Sequence, residues 1–320
     1  MLTIILLASV GFVAFTNGAN ANFKGVASLY GTGTTSRRVA LYWGTAATFA
    51  GSIAALFFAE GLLKKFSGRG IVSDQLVDSQ SFVSSVAIGA AWTSFLATRL
   101  GFPVSTTHAL VGAILGAGLV GGVSEVHLDA LGKSFLYPLF FSPMAAMILG
   151  ALFYALLQAL QLAPNSRSKS LDALHFLSTG GASFARGLND TPKMVALLLV
   201  MPGYDTSFAF LAVGCLIALG GLLDAESVAE TLGKKVTGMN PGQGFSASVV
   251  TATLVATASL HSLPVSTTHV SVGSMLGMGA YTHQAKWKKA FEILFAWVST
   301  VPIAALLAAF TYWVLKTTFG

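Results

Sequence analysis

The chain has 320 residues, 54% of them hydrophobic and 9% charged, with a formal net charge of +6 and a mean hydropathy of +0.74. That places it in the membrane class and excludes an ordinary soluble domain. One cysteine, Cys215, excludes a disulfide framework and a thiolate metal cluster, and 18 basic residues spread over short polar segments exclude a nucleic-acid groove.

Apolar tracts lie at about 1–17, 39–60, 81–99, 104–121, 134–161, 173–188 continuing after a break to 200, 206–223, 245–261, 265–280 and 291–315. A helix spans a bilayer in roughly 20 residues, so several are full crossings and the tracts after each PVSTTH are short. The first tract, MLTIILLASVGFVAF, lacks the basic leader of a signal peptide and reads as a retained helix. It runs into FTNGANANFKGVASLYG, whose counterpart in the second half is FARGLNDTPKMVALLLV. Asn20 then stands opposite Asn189 and Lys24 opposite Lys193, at an offset of 169. PVSTTH recurs at an offset of 161. Two motifs repeated in order indicate a duplicated unit of about 160 residues, and the chain divides into repeats at 1–162 and 172–320 with a linker at 163–171.

Each repeat reads as a broken helix, a full helix, a helical hairpin tipped by PVSTTH, and a closing helix. Counted as a re-entrant pair the hairpin gives three crossings per repeat, and as two spans it gives five. Both counts are odd, so the second repeat is inverted relative to the first. The expected fold is an all-α polytopic membrane protein with two inverted-topology repeats, broken helices and helical hairpins. Arg37, Arg38, Arg167, Lys169, Lys234, Lys235, Lys286, Lys288 and Lys289 collect on one side, against Lys64, Lys65, Arg69 and Lys133 on the other. The richer side is cytoplasmic by the positive-inside rule, which leaves both termini extracytoplasmic.

The polar interruptions carry the chemistry. Irregular backbone at membrane depth is tolerated only against protein or a watery cavity. Breaks at Asn17 to Gly25 and around Asn189 therefore offer carbonyls to a cation and helix ends to an anion, or merely pack with asparagines as interhelical glue. Asp190 costs about 2.5–3.5 kcal/mol on insertion scales, which makes a functional role the default. Lys24 and Lys193 each follow an asparagine by four residues, on one helical face, and either balance charge near an anion or snorkel. Ser105, Thr106, Thr107 and Ser266, Thr267, Thr268 begin helical arms, where hydroxyls and free N–H groups cradle an anion or act only as caps. His108 and His269 fit hydrogen bonding at the tips better than a zinc site. Nucleotide-binding GxxxxGK[ST] and the hydrolytic HExxH and GxSxG motifs are missing, so neither an enzyme nor an ATP-driven pump is expected.

The paired GANANFKG and GLNDTPKM segments with the paired PVSTTH tips resemble the inorganic phosphate transporter (PiT) family over essentially the whole chain. The resemblance implies a secondary symporter of inorganic phosphate driven by sodium or protons, with no cofactor beyond bound phosphate and Na⁺, in a plasma membrane and as a homodimer. It implies anion ligands at Asp190, Ser105, Thr106, Ser266 and Thr267, with Thr107 and Thr268 close behind, and a cation side at Asn20 and Asn189 with neighbouring carbonyls. Asn22 and Asp190 join that cation set, and Lys24 and Lys193 the anion set. The chain departs from the family pattern at Ala21, opposite Asp190, where the signature has aspartate. A carboxylate accepts a proton-bearing bond from P–OH, which sulfate lacks near neutral pH, so losing one weakens both phosphate preference and cation capacity. Divergence toward another substrate or stoichiometry fits this, as does a substitution introduced to trap one state. The alternatives are a sulfate or related oxyanion permease, an anion channel, and a membrane metalloenzyme built on His108, His269 and Asp190.

Overall fold

The computed structural model describes residues 1–162 and 167–319. Its main elements are ten helices: α1 Leu2–Ala21, α2 Arg37–Phe58, α3 Gln80–Arg99, α4 Thr106–Gly121, α5 Tyr137–Ala159, α6 Lys169–Val195, α7 Thr206–Asp224, α8 Pro241–Leu260, α9 Thr267–Tyr281 and α10 Trp287–Phe319. Short helical turns connect them, and β structure among the described residues is limited to isolated bridges. Among the described residues, seven helical stretches are long and apolar enough to cross a membrane. Phe140, Phe141, Leu152, Phe295, Leu306 and Phe310 are exposed on the outer surface, which suits hydrocarbon and would aggregate in water.

Contacts identify the two ends of the bundle. At one end Thr3 donates to Gln80, and a bridge joins Val72 to Val126. At the other, Arg37 pairs with Glu226, Arg99 with Asp224 at 3.2 Å, and Arg167 donates to the carbonyls of Gly33 and Thr34. α3 thus reaches from the first end, at Gln80, to the second, at Arg99, while α4, at 16 residues, is shorter than a full span. After Arg99 the chain turns at Gly101, with φ +72°, and residues 102–105 return inward in extended form. Pro103 disfavours helix at the residue before it, so the arm resumes only at Thr106, inside the bundle. Ser262, with φ +56°, and Pro264 repeat this after α8, where Ser262 lies against Gly61. The two hairpins enter from opposite ends and meet tip to tip.

The helices pack in matched pairs, the first within each half of the chain and the other two between halves. α1 lies on α3 as α6 lies on α8, α1 on α7 as α6 on α2, and α4 on α10 as α9 on α5. Close approach depends on Gly18 and Gly187: a side-chain carbon on the first would fall on the Ile217 carbonyl, and one on the second on that of Thr48.

The helix breaks differ from expectation. α1 continues through Asn17 to Ala21 and tightens to a 3₁₀ turn at Asn22–Gly25, while α6 starts at Lys169, earlier than 173, and stays α-helical through Asn189 and Asp190 to Val195. Its own 3₁₀ turn is Ala196–Leu198. The asparagines do not unwind the helix because their side chains find partners on neighbouring helices. Of the expected linker, 163–166 lie outside the described residues, and Lys169 onward is already helix.

Candidate functional site

The tips are held by their own hydroxyls. Ser105 and Ser266 cap α4 and α9, each accepting the backbone N–H three residues on, from His108 and His269, at 3.2 Å. This satisfies one of the free donors of each helix start and leaves the serine protons to donate. Thr107 donates across the gap to the Val265 carbonyl at 3.3 Å, and Thr268 donates back to Val104 at 2.7 Å. Thr106 accepts from Asn17 Nδ2 at 2.9 Å, and Thr267 is buried at the matching position of α9. Two positive helix ends thus face the same small volume.

Two lysines clasp the interlocked tips. Lys24 Nζ donates to the Val104 carbonyl at 2.7 Å and to Thr268 Oγ1. Lys193 Nζ lies 3.0 Å from Thr107 Oγ1, 3.3 Å from the Val265 carbonyl, 2.8 Å from Asp190 Oδ1 and within bonding distance of Asn189 Oδ1. Each lysine joins a carbonyl of its own repeat's tip to a threonine of the other's. The helical register that aligns Lys193 with Asn189 and Asp190 is the one read from the spacing. Lys24 instead sits in the 3₁₀ turn and reaches its partners from there.

Asp190 is the centre of charge. Its Oδ1 accepts from Lys193, and its Oδ2 accepts from Asn17 Nδ2 at 3.3 Å. Arg186 Nε lies 3.4 Å from Oδ2, close enough to pair electrostatically but not aligned for a hydrogen bond. The guanidinium is held by Asn17 Oδ1 at 2.7 Å, Asn22 Oδ1 at 3.2 Å and Thr48 Oγ1 at 3.3 Å. Arg186 was not among the residues singled out from sequence. Its signal was there, an arginine inside a helix of membrane-spanning length and four residues before Asp190, but its repeat partner is Asn17, so matching the halves by identity passes over it.

The asparagines all bond to neighbouring elements. Asn20 donates to Thr98 and to the Phe102 carbonyl and accepts from the Val104 N–H at 3.0 Å. Asn189 donates to Ser259 at 3.0 Å, and Asn22 donates to Thr45 at 2.6 Å. Ala21 is buried and brings no polar atom. The histidines stand behind the tips. The His108 and His269 rings meet at 4.6 Å between centroids, His269 stacks on Trp297 at 4.0 Å, and Trp297 donates to the Pro103 carbonyl. His269 Nδ1 lies 3.1 Å from the Leu139 carbonyl, so the rings contact neighbouring helices rather than their own tips. Among the described residues no group of three His, Cys, Asp or Glu side chains is gathered for a metal.

Lys24, Arg186 and Lys193 are three buried cations around one buried carboxylate. An ionised set of this kind carries net positive charge out of water, which costs several kcal/mol per uncompensated ion. Two helix starts, hydroxyl groups and that excess charge together make a setting complementary to an oxyanion.

A sequence profile of the phosphate transporter family matches residues 17–308. The "Probable low-affinity inorganic phosphate transporter" of Rhizobium meliloti (strain 1021) is 31% identical over 321 residues, covering 96% of this chain and 94% of that protein. The protein of the same description in Bacillus subtilis (strain 168) is 28% identical, covering 100% and 98%. "Sulfate permease CysP" of Bacillus subtilis is 28% identical over 84% of this chain and 74% of its own length. Among solved structures, "The sodium-dependent phosphate transporter" superposes with a TM-score of 0.84 at 24% identity, covering 99% of each chain.

Proposed function

The chain belongs to the phosphate transporter family, and on that premise we propose that it carries inorganic phosphate across a membrane by secondary, alternating-access transport. It is a carrier and not an enzyme. The observation that carries this reading is the buried group of Lys24, Arg186 and Lys193 around Asp190, beside two hydroxyl-bearing helix starts. An anion entering there neutralises the excess charge and takes donors from Ser105, Thr106, Ser266 and Thr267. Thr107, Thr268 and the two lysines hold the tips in register, and they exchange partners with the anion as the site opens. Asp190 accepts a P–OH, which a hydrogen phosphate offers and sulfate does not.

Transport follows from the exchanged packing. Each tip is clasped by a lysine whose helix packs on the other half, so rocking one half against the other moves access from one end of the bundle to the other around a fixed anion. A sodium or proton gradient supplies the driving force. The repeats are assigned to 1–162 and 172–320, and the lysine- and arginine-rich end to the cytoplasm, with both termini outside. The working assembly is a homodimer in the plasma membrane. Chemical cross-linking in native membranes tests the dimer, and cysteine labelling at either terminus tests the orientation.

A second reading, sulfate or a related oxyanion, draws on Ala21, which leaves a single carboxylate, and on the similarity to a sulfate permease. Radiolabelled phosphate and sulfate uptake into proteoliposomes, with Na⁺, K⁺ and H⁺ gradients imposed separately, distinguishes the two. Concentrative phosphate uptake that sulfate does not compete away supports the first reading. Sulfate accumulation without phosphate accumulation supports the second, and non-saturating downhill flux would mean a channel.

A further inference from the structure

We propose that phosphate binding in this carrier is independent of sodium, because the ammonium groups of Lys24 and Lys193 occupy the positions a coupling cation would take. The proposal rests on the phosphate reading above and narrows the choice of driving ion.

The side-chain amide and carboxylate oxygens near the site belong to Asn17, whose Oδ1 takes Arg186 Nη2, and to Asn20, Asn22, Asn189 and Asp190. A sodium ion binds lone pairs, and each of these oxygens already accepts from a nitrogen. Asn20 Oδ1 takes the Val104 N–H, Asn22 Oδ1 takes Arg186 Nη1, and Asn189 Oδ1 takes Lys193 Nζ. The two oxygens of Asp190 take Lys193 and Asn17, with Arg186 alongside. All five residues are buried, at 0–2% exposure, so their oxygens stay turned toward these nitrogens rather than toward solvent.

Around Lys193 Nζ stand an amide oxygen, a carboxylate oxygen, a threonine hydroxyl and a backbone carbonyl, all within 3.3 Å. Inverted-repeat transporters hold a coupling cation on backbone carbonyls at breaks beside the substrate, and the Val265 carbonyl is such a group. Here the charge among these oxygens is tethered to α6 by its own side chain. Lys24 is held equivalently in the first repeat by a carbonyl and a hydroxyl. Ala21 agrees with the exchange, since the position opposite Asp190 has lost its carboxylate while the repeat keeps its lysine. A mobile cation entering beside either ammonium would meet like charge and would have to share or displace the nitrogens that these oxygens already hold.

Calorimetric titration of the purified protein with inorganic phosphate, in sodium chloride and in choline chloride at equal ionic strength, tests this directly. The dissociation constants in the two salts agree within about twofold; tightening by about tenfold or more in sodium overturns the proposal. Failure to bind phosphate in either salt overturns the phosphate reading and this proposal with it, whereas binding only in sodium overturns this proposal alone. Lys193→Ala vacates one cage while leaving its oxygens in place. In that variant phosphate binding weakens by about tenfold or more in choline and is recovered by sodium or methylammonium. If the variant keeps the wild-type melting profile and neither cation restores binding, the cage assignment is wrong.

Discussion

Replacing Asp190 by asparagine removes the one negative charge among three buried cations while keeping the side chain's shape. In the wild-type site Oδ1 lies 2.8 Å from Lys193 Nζ, and Oδ2 lies 3.3 Å from Asn17 Nδ2 and 3.4 Å from Arg186 Nε. An amide can present an oxygen to only one side, so its NH₂ is turned toward a group that is itself a donor. Removing one member of a buried ion pair typically costs about 3–5 kcal/mol, because the surviving charge is left out of water without a partner. Asp190→Asn therefore lowers the thermal stability of the detergent-purified protein, and it reduces phosphate uptake in proteoliposomes by more than about tenfold. The double variant Asp190→Asn/Lys193→Met removes the pair together. It loses less stability than the two single changes summed, by about 0.5–3 kcal/mol. Wild-type uptake and stability in Asp190→Asn would refute this electrostatic account, and strictly additive losses would show that Asp190 and Lys193 do not act as a pair.

Changing Thr106 and Thr267 together to valine removes two hydroxyls at nearly constant volume, and the phosphate dissociation constant rises; an unchanged binding isotherm rules out the cradle. Arg186→Gln leaves Asn17 Oδ1 and Asn22 Oδ1 without the guanidinium while Asp190 keeps Lys193, and it destabilises the protein by about 1–3 kcal/mol, read as a lower melting temperature. Introducing a second carboxylate as Ala21→Asp weakens sulfate binding more than phosphate binding, since only a P–OH donates to it; equal losses for both anions contradict that role. Gly187→Ala places a methyl against the Thr48 carbonyl where α6 crosses α2 and costs about 1–3 kcal/mol of stability, which chemical denaturation measures.

Much of the architecture was legible because the chain is written twice. The recurrence of PVSTTH and of the Asn20/Lys24 spacing points to two tips and two lysines around one anion. What the two halves do not share was harder to see. Arg186 escaped notice because its counterpart is Asn17, although together these side chains organise Asp190. Glycine, asparagine and proline around Asn189 read locally as helix breakers, yet α6 continues because Gly187 serves close packing and Asn189 bonds to Ser259. The partner exchange of Thr107 and Thr268 depends on tip-to-tip docking, which has no local signature. The placement of the α3 C-terminus at the second end rests likewise on a long-range contact, the Arg99–Asp224 pair, between residues 125 positions apart.

The central claim is that a phosphate carrier is built on these two tips, and concentrative uptake of radiolabelled phosphate into proteoliposomes tests it most directly. Saturable accumulation above the external concentration under an imposed ion gradient, collapsing on addition of an ionophore and lost in Asp190→Asn, is the predicted result. Phosphate that only equilibrates, or uptake that is the same in wild type and Asp190→Asn, would contradict the account.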